Sequence, residues 1–350
     1  MLLINKLKDH PLFIKIFHWE YWPFAVLYAP MYPYWFWLCL KARAFFFINA
    51  ANPTIRNGGF LMESKKEIYD LLPKGTYPET LFFAVGTEGN IVLNKVKNVG
   101  IAYPAIAKPD IGMRGMSVKK IENDQELLEY AKNSKVDFLV QAYIPYEDEL
   151  GIFYCRIPGE EKGSITGIVG KELLAVTGDG CSTVEKLLLQ NTRFILQLPA
   201  LRKTIPTELS VVLPKGERKI LVPYGNHARG AKFLDVSYLA DEQLSETIDQ
   251  LAKKINGFYY GRMDVRYDTI EALREGKNFS IIELNGSGSE PTHIYDPSHS
   301  VFFAWKEIIR HWNIMYRISK INHKNGMPYM TRKEGLAMLK ANRQLVEDIS

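Results

Sequence analysis

Residues 279–285, FSIIELN, end an apolar stretch with a carboxylate and a carboxamide two positions apart, Glu283 and Asn285. Residues 259–268, YYGRMDVRYD, carry Arg262, Asp264 and Arg266 at the same interval. Alternate side chains of a strand share a face, which puts Arg262, Asp264 and Arg266 on one face with Met263 and Val265 on the other. The same alternation points Phe279, Ile281, Glu283 and Asn285 one way and Ser280, Ile282 and Leu284 the other. If residues 268–278 close a hairpin, Asp264, Glu283 and Asn285 converge on one patch with cationic neighbours. Hard divalent cations such as Mg2+ take oxygen ligands of this kind, usually shared with substrate phosphates. A surface salt-bridge ladder is the plain alternative.

Phosphates also need donors. Lys108 closes the apolar segment IAYPAIAKPD (101–110), and Gly112 and Gly115 follow within GMRGMSV, together with Arg114, Met116 and Ser117. Glycines there free the backbone to turn its N–H groups towards an anion. The turn matches neither the G-K-S/T phosphate loop nor G-x-G-x-x-G, and alone it also suits an ordinary hairpin. Farther on, VPYGNHARGAKFLD (222–235) holds His227, Arg229 and Lys232 between glycines, the composition of a loop that closes over a site and excludes water. The histidines at 18, 227, 299, 311 and 323 form no i, i+4 metal pair, which argues against a zinc site.

Regular elements frame these residues. Ser64-Lys-Lys-Glu67 reads as a capping box opening a helix that stops before Pro73. DQELLEYAKN (124–133) and DEQLSETIDQLAKKI (241–255) read as helices, and DFLVQAYIP (137–145) as a strand. GSITGIVGKELLAVTGDG (163–180) reads as a two-stranded hairpin bending near Gly170, followed by a capped helix in STVEKLLLQN. The tail after Val301 is mainly helical.

The order of these features resembles the ATP-grasp superfamily: Lys-Pro and a glycine turn, then VQAYI with Glu149 beyond it, then TGDGCSTV, then GRMD followed by IIELN. The resemblance spans roughly residues 64–297. It implies an α+β fold in which two α+β lobes clamp ATP, with an ATP-grasp N-terminal part (63–145) and a C-terminal part (146–300); an aromatic N-terminal segment (1–62) and a helical tail (301–350) flank the region it covers. It implies that Lys108 and the turn from Gly112 to Ser117 hold phosphates, that Gln141 with the main chain of Tyr143 and Ile144 reads adenine, and that Glu149 takes the ribose. Asp264, Glu283 and Asn285 match the family's magnesium ligands, two ions of Mg2+ or Mn2+, and Arg262 the arginine that stabilises an acyl-phosphate and the tetrahedral intermediate after it. The tail NGSGSEPTHIYDP (285–297) is similar to the D-alanyl-D-alanine ligase pattern at Asn285, Ser287, Thr292, His293 and Pro297, but Ile294 stands where that pattern has serine. The TGDG and GNHARG stretches look more like cyanophycin-synthetase-related ligases. The implied activity is ATP-dependent joining of a carboxylate to an amine through an acyl-phosphate. The resemblance implies Lys108, Arg229 and Arg262 as the catalytic group, with His227, Ser287 and His293 at the substrate; His293 equally suits a hydrogen-bonding cap of its own loop. An ATP-grasp kinase and a non-catalytic ATP-binding membrane adaptor stay open as alternatives.

The totals set bounds. In 350 residues, 47% hydrophobic and 24% charged, a large core forms and wholesale disorder is excluded. The net charge of +5 suits anionic small molecules or an acidic membrane surface, and no Lys/Arg stripe tracks a nucleic-acid backbone. Three widely spaced cysteines read as reduced thiols of a cytoplasmic protein. Residues 21–40, YWPFAVLYAPMYPYWFWLCL, carry no charge and have the length of a bilayer span, but three prolines interrupt them and Trp and Tyr favour the headgroup boundary. Three readings follow: peripheral contact with the cytoplasmic membrane face through residues 12–48, an aromatic interface within the protein, and a true span.

Overall fold

The computed structural model describes residues 11–112, 115–222, 225 and 230–349, the side chains of residues 11, 12 and 192 excepted. Its strands are β1 (Thr80–Phe83), β2 (Ala105–Pro109), β3 (Lys119–Ile121), β4 (Phe138–Ala142), β5 (Asp148–Cys155), β6 (Ser164–Glu172), β7 (Leu174–Thr177), β8 (Arg218–Val222), β9 (Lys232–Asp235), β10 (Tyr260–Tyr267) and β11 (Phe279–Asn285). Helices and antiparallel strand pairs make a mixed α+β fold. The described residues divide into two compact units, the smaller formed by those within 11–32, 170–235 and 293–306 and the larger by the rest.

In the larger unit one sheet runs in the order β1-β4-β2-β3. Alternation sends Ala105, Ala107, Phe138 and Val140 to one face, where they bury with Val92, Val96, Leu127 and Ala131 of the helices Gly89–Val99 and Asp124–Asn133. Ile106, Lys108, Leu139 and Gln141 fall on the opposite face. Leu139 joins a different core, with Leu150, Ile152 and Tyr154 of β5, Met263 and Val265 of β10, and Ile281 and Leu284 of β11. The helices Lys65–Leu71 and Glu242–Lys254 close that core through Ile68, Tyr69, Leu244 and Ile248. Both are capped: Ser64 Oγ accepts from Glu67 N at 3.1 Å, as its sequence predicts, and Asp241 Oδ1 from Leu244 N at 2.9 Å. Glu67 completes no reciprocal capping box, because its carboxylate pairs with Arg56.

Two expectations are corrected. Residues 163–180 form no hairpin: β7 pairs with β8, β6 is a neighbour of β5, and Gly170 lies inside β6. The second correction concerns β11, where Val265 pairs with Ile281 but Asp264 pairs with Glu283, so Ile282 is an extra residue on β11, a bulge. One inserted residue reverses every side chain beyond it. Phe279 and Ile281 therefore share the core face with Leu284, while Glu283 and Asn285 join Ser280 on the face of Arg262, Asp264 and Arg266. Residues 268–278 do connect the two strands, and they contain a short helix, Ile270–Arg274.

The aromatic run divides between both units. In the larger unit Leu38, Phe47 and Ile48 bury with Phe153, Cys155 and Tyr260, on the second face of the β5–β10 pair, and with Met315, Tyr316 and Ile318 of the helix Val301–Lys324. This part of the run is an interface inside the protein. Among the described residues no helix is long and apolar enough to cross a membrane, and the three cysteines are free. In the smaller unit Glu20 and Arg193 form a buried ion pair at 2.9 Å, and the β7–β8 pair packs its leucines and valines on the short helices between residues 184 and 209.

The glycines after Asn285 are explained by a second chain segment. Ser287 N and Gly288 N donate to Gly58 O and Gly59 O at 3.0 and 2.8 Å. A Cβ on Gly59 would lie 2.6 Å from Gly286 Cα, and one on Gly286 would lie 2.5 Å from Gly58 O, so the two backbones approach as only glycines allow. Fully buried Asn52 anchors the arrangement: its Nδ2 donates to Gly58 O and Tyr260 O, and its Oδ1 accepts from Tyr259 N and Tyr260 N. Replacing it leaves four buried backbone groups with one partner fewer. Asn52→Ala is expected to lower the unfolding free energy in a urea titration by on the order of 3 kcal/mol; a loss below about 1 kcal/mol contradicts this role.

Candidate functional site

The polar face of β5, β10 and β11 presents three cross-strand rows. Glu149 lies opposite Arg266, which lies opposite Ser280; Gly151 opposite Asp264, opposite Glu283; Phe153 opposite Arg262, opposite Asn285. Asp264 is buried, and Arg262 grips it with Nε at 2.7 Å from Oδ1 and Nη2 at 3.1 Å from Oδ2. Gly151 makes this pair possible, because a Cβ there would sit 3.1 Å from both Arg262 Cδ and Asp264 Oδ1. Burial alone would pull the Arg262 pKa down, but the charges of Asp264, Glu283 and Glu290 and the Asp264 hydrogen bonds raise it, so the guanidinium stays charged.

Glu283 differs from its neighbour. It is half-buried, and among the described residues its carboxylate has neither a hydrogen bond nor an ion pair. Its charge is nevertheless felt by Lys108, Arg262, Tyr69 and Glu63. Two further polar atoms of this region, Asn285 Nδ2 and Ser287 Oγ, are buried without a partner.

Lys108 reaches the same place from the other sheet. Its Nζ donates to Tyr69 Oη at 2.8 Å, Gln141 Oε1 at 2.9 Å and Ile282 O at 3.2 Å, and Tyr69 Oη donates to Ile282 O at 2.5 Å. The carbonyl that receives both is that of the bulged residue. Burial pushes the Lys108 pKa down to about 8 against the opposing pull of Glu283. Burial also raises Tyr69, which stays a phenol.

The other predicted residues are placed as follows. Gln141 is buried, with Oε1 on Lys108 and Nε2 donating to Thr80 Oγ1 at 2.8 Å. Tyr143 and Ile144 lie just past β4; Lys120 sits over the Tyr143 ring at 5.1 Å, and Ile144 O accepts from Arg266 Nη1 at 3.3 Å. Glu149 is 3.6 Å from Arg266 Nε. In the glycine turn, Gly112 O accepts from Lys65 Nζ at 3.2 Å, Gly115 has a φ of +71°, and Ser117 O accepts from Tyr130 Oη at 2.9 Å. Met116 belongs to the same turn. His293 is buried in the smaller unit, its ring 6.3 Å from that of Phe303. Arg114, His227 and Arg229 lie outside the described residues. The structure thus brings together Lys108, Gln141, Arg262, Asp264, Glu283 and Asn285 in the larger unit.

Sequence reasoning missed two residues here. Tyr69 bridges Lys108 and β11, and Glu63 has a buried Oε2 without a partner and a pKa raised by burial, with Glu283 adding to the rise against Lys65. Tyr69 carries a signal in hindsight, as an aromatic on the buried side of a capped helix; Glu63 carries none.

Among the described residues no group of three His, Cys, Asp or Glu side chains is placed to hold a metal ion. A magnesium ion arriving on phosphates needs only one or two protein carboxylates. Glu283, whose carboxylate is unpaired among the described residues, faces Asp264 and is followed on the same face by the Asn285 carboxamide, a donor set of that size. The residues fit such an ion.

No protein-family model matches the chain, and no curated protein matches it. Solved structures overlap it loosely. A bifunctional glutathione synthetase from Pasteurella multocida is 13% identical, with a TM-score of 0.40 over 73% of this chain and 38% of that one. The VanG D-Ala:D-Ser ligase from Enterococcus faecalis is 12% identical, with a TM-score of 0.41 over 72% and 61%. A D-alanine–D-alanine ligase from Bacillus anthracis is 12% identical, with a TM-score of 0.42 over 75% and 69%. The chain spans about two fifths and three fifths of the first two. At this identity and overlap the likeness bears on neither substrate nor reaction.

Lys108 gives the site a pH signature. Its pKa is about 8 when folded against about 10.4 in an unfolded chain, so between these values the unfolded state binds more protons and stability rises with pH. Buried tyrosines with raised pKa act in the opposite direction above about pH 10, so the comparison is wild type against Lys108→Met from pH 7.5 to 9.5. The unfolding free energy of wild type is expected to rise relative to the variant across that range; parallel curves contradict a depressed Lys108.

Proposed function

We propose that the chain is an ATP-grasp enzyme that joins a carboxylate to an amine through an acyl-phosphate, with magnesium nucleotide received at Asp264, Glu283 and Asn285 and phosphates held by Lys108. The observation that carries this reading is Glu283: a half-buried, unpaired carboxylate directly opposite Asp264, within electrostatic reach of Lys108 and Arg262. A surface ladder would pair that carboxylate in solvent; here buried Lys108 and partly buried Arg262 stand near it and neither binds it.

The roles follow from donors and charges. Magnesium, when bound, supplies neutralisation of the phosphoryl oxygens. Lys108 has three ammonium protons and three acceptors, so it turns at least one proton from Tyr69, Gln141 or Ile282 to the phosphate. A polyanion also returns to it the charge that burial disfavours, so nucleotide binding takes up a proton near pH 8. Gln141, held by Thr80 and Lys108, keeps a second lone pair on Oε1 for an adenine amino group. Arg262, fixed by Asp264, offers its remaining N–H groups to the oxyanion formed when an amine attacks the acyl-phosphate. Its rigidity matters because a preorganised donor costs no reorganisation as charge develops.

The test is ADP release against pools of carboxylates and amines, with mass spectrometry of the product. An amide dependent on both substrates is expected, and Glu283→Gln is expected to slow ADP release by about 100-fold or more. Turnover without an amine that leaves phosphate on the product overturns the ligase in favour of a kinase. ATP binding without turnover overturns it in favour of an adaptor.

A further inference from the structure

The larger unit contains a cavity of about 590 Å³ that none of this chemistry uses, a volume typical of small-molecule sites. Its walls are the C-terminal half of the helix Tyr32–Ala42, the turn that follows it, and residues 329–332 leading into the helix Arg332–Ile349. The walls are tied together: Phe46 bridges to Met330, and Asn49 donates to Pro328 O at 3.0 Å and accepts from Met330 N at 3.0 Å.

The lining is apolar with two cations. Phe36, Leu40 and Phe45 are 50%, 72% and 44% exposed, and Met330 lies beside them. Arg43 and Arg332 line the same cavity, and among the described residues neither guanidinium has an ion pair or a hydrogen bond. The nearby carboxylate of Glu334 is occupied, accepting from Thr331 N at 2.8 Å and Thr331 Oγ1 at 2.7 Å. Arg43 also stands where glycine is the usual residue. Arg43 N and Ala44 N donate to Leu40 O and Cys39 O to end the helix, and Arg43 has a φ of +55°, a seat that disfavours an L side chain.

We propose that this cavity binds a single-chain amphiphile with an anionic head, its tail along Phe36, Leu40, Phe45 and Met330 and its carboxylate or phosphate held by Arg43 and Arg332. Both arginines are exposed where they border this apolar surface, and arginine presents a planar fork suited to either oxyanion. A wholly apolar ligand leaves both cations unanswered, and a cationic one is repelled by them. The inference is independent of the nucleotide site.

The test is calorimetric titration of the full chain with dodecyl phosphate and with dodecanoate, each below its micellar concentration, beside dodecyltrimethylammonium and inorganic phosphate. Saturable binding of one anionic amphiphile per chain is expected, with both controls at least about tenfold weaker, since each 1.4 kcal/mol is one decade. Arg43→Gly and Arg332→Gln are each expected to weaken it about tenfold. Arg43→Gly separates binding from folding, because glycine suits that backbone and the thermal midpoint is expected to hold or rise. Equal binding of the cationic amphiphile, unchanged affinity in both variants, or binding only to phosphatidylglycerol vesicles overturns the proposal.

Discussion

The site depends on one carbonyl, that of Ile282. Because Ile282 is an extra residue on β11, its peptide group does not fit the regular ladder with β10, and its oxygen instead accepts from Tyr69 and Lys108. The same insertion reverses the side chains beyond it. Without it Glu283 and Asn285 would point into the core of Met263, Val265 and Ile281, where an unpaired carboxylate is strongly disfavoured. One bulge therefore sorts polar from apolar and ties β11 to Lys108 of β2. It places a carboxylate close enough to a buried lysine to favour that lysine's charge against burial.

That closeness is balanced rather than neutralised. Arg262 and Asp264 satisfy each other across the space left by Gly151, while Lys108 spends its protons on neutral acceptors. Glu283 and Glu63 are left as carboxylates without a hydrogen-bonding cation. Under the proposed function, this arrangement offers negative oxygens to a metal and a buried ammonium to an anion, the pairing that magnesium nucleotide carries. The glycines after Asn285 follow from a different need, the close approach of residues 58 and 59 fastened by Asn52.

Much of this was legible in the residues. The caps at Ser64 and Thr183 are local hydrogen bonds, and they mark their helices correctly. The β10 alternation of Arg262, Asp264 and Arg266 against Met263 and Val265 is an uninterrupted period of two and holds. FSIIELN misleads because a bulge is invisible to periodicity; the adjacent pair Ile281-Ile282 fits strict alternation as well as it fits an insertion. The segment 163–180 misleads because hairpin and crossover share the same glycines, and the partner of β7 comes from about 40 residues later, at Arg218–Val222. Tyr69 and Asn52 act through contacts with distant parts of the chain, and Glu63 is set by its burial, neither of which a local pattern encodes. The aromatic run between residues 33 and 51 carries composition suited to a headgroup boundary, but buries Leu38, Phe47 and Ile48 on a sheet face, since aromatics serve either surface.

The central claim is that Glu283, turned onto the face of Asp264 by the bulge, receives the cation of a metal nucleotide. Manganese–ATP titrated into the protein and followed by water-proton relaxation measures that contact without requiring a substrate. The account predicts a saturable relaxation enhancement in wild type that Glu283→Gln weakens by at least about tenfold in affinity. An enhancement identical in the two proteins, or none with ATP bound, contradicts it.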